Sequence, residues 1–156
     1  MMKRSVMIPV LVALLDQWIK RCVRSFAEGV PFFRLTDFFE LVPSVNTGAS
    51  FSLFHGNNAA LAAVCAVLIV LLMVYIRKNL RLTPFAETAC LFLLGGGIGN
   101  LIDRVFFGGV TDYIRVLFIS FPVFNLADVV ITVSVGILIL LTFTNRLEVP
   151  TGESHG

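Results

Sequence analysis

Asp16, Lys20, Asp103, Asp112 and Asp128 stand inside or at the edges of the long apolar runs that make up most of this chain. A charge at the centre of a membrane-crossing helix costs roughly 2.5–3.5 kcal/mol on insertion scales. Charges kept at that cost usually face a bundle interior and mark a proton, ion or substrate site. Asp112 and Asp128 offer the most specific chemistry. Asp112 follows Gly109-Val-Thr, and Asp128 ends Phe124-Asn-Leu-Ala-Asp, about one turn inside an apolar run. Two carboxyls that meet at this depth cannot both ionise cheaply, so they share one proton. The charged member can act as general base on a water. The neutral member can protonate or hydrogen-bond a scissile carbonyl. That is aspartic-protease chemistry. The competing reading is structural, with Asp128 capping a helix start and Asp112 solvated in a loop.

Three further constellations stand beside this pair. Asp16 and Lys20 are four residues apart, on one helix face, where they can pair. The pair either lowers the cost of insertion or acts electrostatically at the site. In Asn46-Thr-Gly48-Ala-Ser-Phe51, Gly48 permits a tight turn or the close approach of a substrate backbone. The Asn46 amide offers donors and an acceptor to a peptide; otherwise the segment is an ordinary turn. Gly99-Asn100-Leu-Ile-Asp103-Arg104 ends the third apolar run, where Gly95 and Gly99 form a Gly-x-x-x-Gly that lets helices pack closely. Asp103 and Arg104 are adjacent, point apart and need separate partners, unless both are simple interfacial anchors. A nucleophilic hydrolase has little support. Ser44, Ser50 and Ser52 have only His55 near them at membrane depth, and a Ser–Lys dyad would need Lys20, which Asp16 occupies.

Composition says what must position these groups. The chain has 156 residues, 57% hydrophobic and 14% charged, with a mean hydropathy of +0.91. A soluble domain is about 45–50% apolar and about 25% charged. The excess implies one integral membrane domain over residues 1–156. A net charge of +2, without a basic stripe carrying interleaved aromatics, argues against nucleic acid. Cys22, Cys65 and Cys90 are far apart, and His55 and His155 are scattered, so no metal site, cofactor or disulfide framework is expected. Lys3-Arg4 followed by Val6 to Leu15 looks like a signal peptide. Asp16, Trp18 and Lys20 stand where its cleavage site should be, so an uncleaved first transmembrane helix is expected.

Four apolar segments are visible, about 5–23, 59–76, 85–102 and 124–143. The second is free of charge and reaches roughly 27 Å, enough to span. An even number of spans puts both termini on one side. Six basic residues fall on each side, but Arg77, Lys78 and Arg81 are packed into one short loop. That density makes the termini side cytoplasmic. The opposite side holds Ala27 to Asn58, where Phe residues alternate with charges and Gly29, Pro31, Pro43 and Gly48 break any long helix. Short strands on the membrane surface are expected there. Phe106 to Val123 is a second extra-membrane piece, and 151–156 is a flexible tail.

Asp16-x-x-x-Lys20, Asn46-x-Gly-x-x-Phe51, Gly99-Asn-x-x-Asp103-Arg104, Gly109-x-x-Asp112 and Phe124-Asn-x-Ala-Asp128 occur in this order on a four-span chain. Each is weak alone, but the ordered set is specific. In it the chain resembles bacterial lipoprotein signal peptidase (signal peptidase II) from roughly Asp16 to Ile131. The resemblance implies a membrane-embedded aspartic endopeptidase of the bacterial cytoplasmic (inner) membrane. Its termini would be cytoplasmic and its site toward the outer face. It would remove the signal peptide from diacylglyceryl-modified prolipoproteins, cutting before the lipidated cysteine. By the same resemblance Asp112 and Asp128 would be the catalytic pair. Asn46, Asn100, Arg104 and Asn125 would surround the substrate or orient the pair, with Asp16 in support; Gly48, Asp103 and Lys20 join the candidate binding and supporting residues from their own motifs. The fold implied is all-α, with four transmembrane helices, a small periplasmic β-cradle and a short extra-membrane helix or loop. Membrane lipids would be partners, globomycin-type inhibitors would bind, and the protein would act as a monomer. Val45 stands where many members carry Arg, Tyr113 stands where Phe is frequent, and the interval from Asp112 to Asp128 is slightly short.

Two other classes compete. Intramembrane Asp and Lys also suit a small proton-coupled transporter, although four spans without an inverted repeat are few. A non-catalytic assembly factor would tolerate Asp→Asn changes at positions 112 and 128.

Overall fold

In the computed structural model, residues 2–48, 57–79 and 81–149 are described. Their elements run α1 (Met2–Val23), β1 (Phe33–Arg34), β2 (Phe39–Asn46), α2 (Asn58–Lys78), α3 (Pro84–Phe106), β3 (Val110–Val116) and α4 (Leu126–Phe143). The Ala49-Ser-Phe51 part of the second motif, Ser52, His55 and the 151–156 tail lie outside the described residues. Among the described residues, α2, α3 and α4 are long and apolar enough to cross a membrane. Helix α1 is as long, at 22 residues, but carries Asp16, Lys20 and Arg21 in its second half.

Helix α3 is the axis of the bundle, because its glycines let three helices approach it. A Cβ on Gly95 would stand 2.6 Å from Val12 of α1, and one on Gly96 would stand 2.9 Å from the Ala127 carbonyl of α4. Gly97 faces Ile69 of α2. Gly99 lies under Asp16, whose carboxylate oxygen would be 2.5 Å from an added Cβ. The expected Gly-x-x-x-Gly contact is therefore made, by Gly95 and Gly99 against α1. Helix α3 starts cleanly: Thr83 Oγ1 accepts from Ala86 N at 3.3 Å, and Pro84 follows at the first helical position. It runs one turn past the expected end, so Asp103 and Arg104 belong to the helix.

The three strands form one antiparallel sheet in the order β1-β2-β3. Glu40 pairs with Arg115 across β2 and β3, and Ser44 lies opposite Asp112, with a register shift between Leu41 and Ser44. The strands expected in 27–58 are present. For 106–123 the expectation of a helix or loop is corrected: Val110–Val116 is the third strand of the same sheet. A further bridge, Ile114 to Phe124, carries the chain from the sheet to α4. The all-α description is likewise corrected to a helical bundle with a small sheet.

Candidate active site

The buried interior at one end of this bundle is polar. Asp16, Lys20, Asp103 and Asn125 are each wholly buried. Burying such groups is costly unless each finds partners, and these do.

The start of α4 sets the first half of the site. Asn125 is extended, with φ −130° and ψ 179°. Its Oδ1 accepts from Asp128 N at 2.9 Å, while Asp128 Oδ2 accepts from Asn125 N at 3.1 Å. This reciprocal box holds Asp128 at the third helical position, where the helix dipole favours a carboxylate. The other free amides of that turn are also engaged. Leu126 N donates to the Tyr113 hydroxyl at 3.1 Å, and Ala127 N donates to Asp16 Oδ1 at 3.2 Å. Asp128 is thus a capping residue, as the structural reading held, yet its Oδ1 remains turned to the site and accepts from Asn100 Nδ2 at 2.8 Å.

The second half is Asp112 on β3. It is 2% exposed, so the solvated-loop reading fails. Its Oδ1 accepts from Asn125 Nδ2 at 2.6 Å, and its Oδ2 accepts from Asn46 Nδ2 at 3.1 Å. Asp112 and Asp128 border one cavity of about 510 Å³, together with Asn46, Asn100 and Arg104. Asn125 touches both carboxylates. Burial, reinforced by repulsion from Asp128, pushes the Asp112 carboxyl up to about 7; hydrogen bonds from Asn46 and Asn125 and the charge of Lys20 act in the opposite sense. Burial also lifts the Tyr113 hydroxyl to about 12, so it stays protonated.

Behind each aspartate stands a chain of contacts. Lys20 Nζ pairs with Asp16 Oδ2 at 2.8 Å and Asp103 Oδ2 at 3.4 Å, and it donates to Asn100 Oδ1 at 2.8 Å. An ammonium only donates, so the Asn100 oxygen must face Lys20 and its amide NH₂ must face Asp128. On the other side, Asn46 Oδ1 accepts from Gly48 N at 3.0 Å, which leaves its NH₂ for Asp112. Gly48 O in turn accepts from Arg104 Nη2 at 3.0 Å. Every expected site residue therefore joins one connected network.

Several members of that network were not foreseen. Arg24 Nη2 pairs with Asp103 Oδ1 at 2.6 Å, its Nε donates to Thr111 Oγ1 at 2.9 Å, and its guanidinium lies 3.7 Å from the Phe107 ring centre. Gln17 Nε2 donates to Gly99 O and to Asp103 Oδ1. Thr111 N donates to Asp103 Oδ2 at 2.7 Å, which ties β3 to α3. Asn58 meets Arg104. Arg24 continues the four-residue spacing of Asp16 and Lys20, a signal open to reading; Asn58 and Thr111 had none. Among the described residues, no three His, Cys, Asp or Glu side chains converge as metal ligands.

Two carboxyls with unlike surroundings on one cavity can divide acid and base roles between them. Comparisons with known proteins bear on what such a site serves. A family model described as "Signal peptidase (SPase) II" matches residues 8–144. A lipoprotein signal peptidase from Brevibacillus brevis is 34% identical, over 88% of this chain and 93% of that protein. One from Microcystis aeruginosa is 36% identical, over 92% and 94%. One from Dehalococcoides mccartyi is 42% identical, over 75% of each. A solved bacterial membrane enzyme superposes with a TM-score of 0.83 at 28% identity, covering 96% of this chain and 94% of that one. The match spans both halves of the site and all four helices, and on it the chain belongs to the signal peptidase II family.

Proposed function

We propose that the protein is a membrane-embedded aspartic endopeptidase that removes signal peptides from diacylglyceryl-modified prolipoproteins, cutting before the lipidated cysteine. The observation that carries this reading is that Asp112, buried, and Asp128, half-buried, border one cavity and are joined through Asn125. Asp112, with its carboxyl raised to about 7, holds the shared proton and hydrogen-bonds the scissile carbonyl. Asp128 is the carboxylate and takes the proton from the attacking water. Asn46, Asn100, Arg104 and Asn125 orient the pair and the substrate, and Gly48 keeps the adjoining backbone close. Asp16, Lys20 and Asp103 support that arrangement from behind. A proton-coupled transporter gains no support from the family.

The whole chain acts as one domain with four spans, α1 completing the bundle through its contacts with α3. Both termini are cytoplasmic, and the site opens toward the outer face of the bacterial inner membrane. A site at the end of the bundle suits a substrate whose lipid tails cannot leave the bilayer. The sheet carries exposed Phe33 and Phe38, suited to a cradle at the membrane surface. The protein works as a monomer and binds globomycin-type inhibitors in the cavity. The test is cleavage of one prolipoprotein, with and without the diacylglyceryl group, by the purified protein in micelles. Lipid-dependent cleavage blocked by globomycin supports the proposal; equal cleavage of both substrates contradicts it.

A further inference from the structure

Asp112 is held by a turn that is itself held from a distance. We propose that Asn58, at the start of α2, is a positioning residue for Asp112, acting through Arg104 and the Asn46–Gly48 turn. The inference rests on the dyad reading above.

Asn58 and Arg104 hold each other reciprocally. Asn58 Nδ2 donates to the Arg104 carbonyl at 2.7 Å, and Arg104 Nη1 donates to Asn58 Oδ1 at 3.3 Å. The first contact fixes the backbone at the end of α3, where the Asp103 carbonyl still accepts from Phe107 N at 2.8 Å and the Arg104 carbonyl is taken by Asn58. The second fixes the guanidinium. Arg104 Nε is buried without a partner among the described residues, so the head of this side chain is set by Asn58 on one side and Gly48 O on the other. Gly48 then decides which way the Asn46 amide faces. Its N–H holds Asn46 Oδ1, so Asn46 Nδ2 is the group presented to Asp112 Oδ2. The path is Asn58, Arg104, Gly48, Asn46, Asp112, and each link is a hydrogen bond between 2.7 and 3.3 Å.

The charged surroundings of Asp112 give the direction of the effect. Asp128 on α4 opposes its ionisation, and Lys20 on α1 favours it. Arg104 on α3 borders the same cavity. Asp16 and Asp103 are engaged by Lys20, and Asp103 also by Arg24. Glu40 and Arg115, farther along β2 and β3, pair with each other. The Asn46 hydrogen bond favours the ionised form of Asp112. Releasing Arg104 loosens that bond, so the proton leaves Asp112 only at higher pH.

The test is the pH profile of prolipoprotein cleavage by full-length Asn58→Leu in micelles, with kcat and KM read separately. The alkaline limb should move up by roughly half to one pH unit, the size of a hydrogen bond to the carboxylate that is loosened and not lost. On the plateau below the limb, where Asp112 is protonated in both proteins, kcat should fall several-fold while KM changes less. Asn58→Gln keeps both the donor and the acceptor that Arg104 uses and should bring the limb back toward the wild-type position. If Asn58→Leu does not fold, Asn58→Ser carries the same comparison. A folded variant with the wild-type limb and kcat overturns the proposal, as does an Asn58→Gln limb displaced like that of the leucine variant. A different result, Asp112→Asn that still cleaves, removes the dyad reading itself.

Discussion

Asp112 carries the clearest pH signature of any residue here. Its carboxyl is raised from 3.8 to about 7, mainly by burial. In the proposed mechanism the neutral acid is the working form. Cleavage should therefore fall as pH rises through about 7 and pass through an optimum below it, which a pH–rate profile will show. Stability follows the same sign. A group whose folded pKa is raised contributes stability that is full below the unfolded value, here near 4, and lost as pH rises through the folded one. Asp112→Asn should then melt higher than wild type in micelles at pH 8, with the gap closing toward pH 4; a gap independent of pH would contradict this. Asp16 has a different role. Its carboxylate supports Lys20 and the Ala127 amide, so Asp16→Asn leaves a buried ammonium short of charge. Breaking a buried pair in this way costs about 3–5 kcal/mol. The expected result is low yield and low melting temperature, with residual turnover in whatever folds; full stability with lost turnover would give Asp16 a direct catalytic role instead.

At the scale of elements, α3 decides whether the site forms. Its glycines admit α1, α2 and α4, and its last two turns supply Asn100, Asp103 and Arg104. Gly99→Ala would push a methyl against Asp16. Overpacking of this kind costs roughly 1–3 kcal/mol, and here it also displaces the carboxylate that holds the α4 start. The variant should unfold earlier in thermal scans, whereas Gly136→Ala, which meets open space, should not. Helix α3 also shows what the sequence could reveal. The apolar runs, the Gly-x-x-x-Gly and the Asp16–Lys20 spacing are local patterns, and all are realised in the fold. Strand β3 was not legible. Its Thr111 and Asp112 break the apolar run, and its pairing with β2 joins residues far apart in the chain. Asn58 was missed for the same reason, because its partner lies 46 residues away; Arg24 carried the four-residue spacing, but its partners lie 79 and 87 residues away. Helix ends differed by a few residues where capping, not hydropathy, sets the boundary, as at Asn125.

For the whole molecule, the outer surface of the bundle is apolar and its interior, at the end beside the sheet, is charged. Val64, Val67, Leu68, Leu71, Ile139 and Leu140 are largely exposed, as suits contact with lipid. The proposed orientation puts the α2–α3 connection in the cytoplasm and the sheet outside. In a cysteine-free protein, Lys78→Cys should react with an impermeant thiol reagent only after the inner face is opened, while Asp37→Cys should react from outside in spheroplasts. The reverse pattern would invert the topology.

The claim on which everything else depends is that Asp112 and Asp128 together perform the cleavage. The most direct measurement is single-turnover cleavage of a diacylglyceryl-modified prolipoprotein by wild type, Asp112→Asn and Asp128→Asn, each verified as folded by its melting transition. Each substitution should lower the rate by about 10²–10⁴-fold or more, the contribution of a positioned acid or base. Near-normal turnover at either position in a folded variant would contradict it.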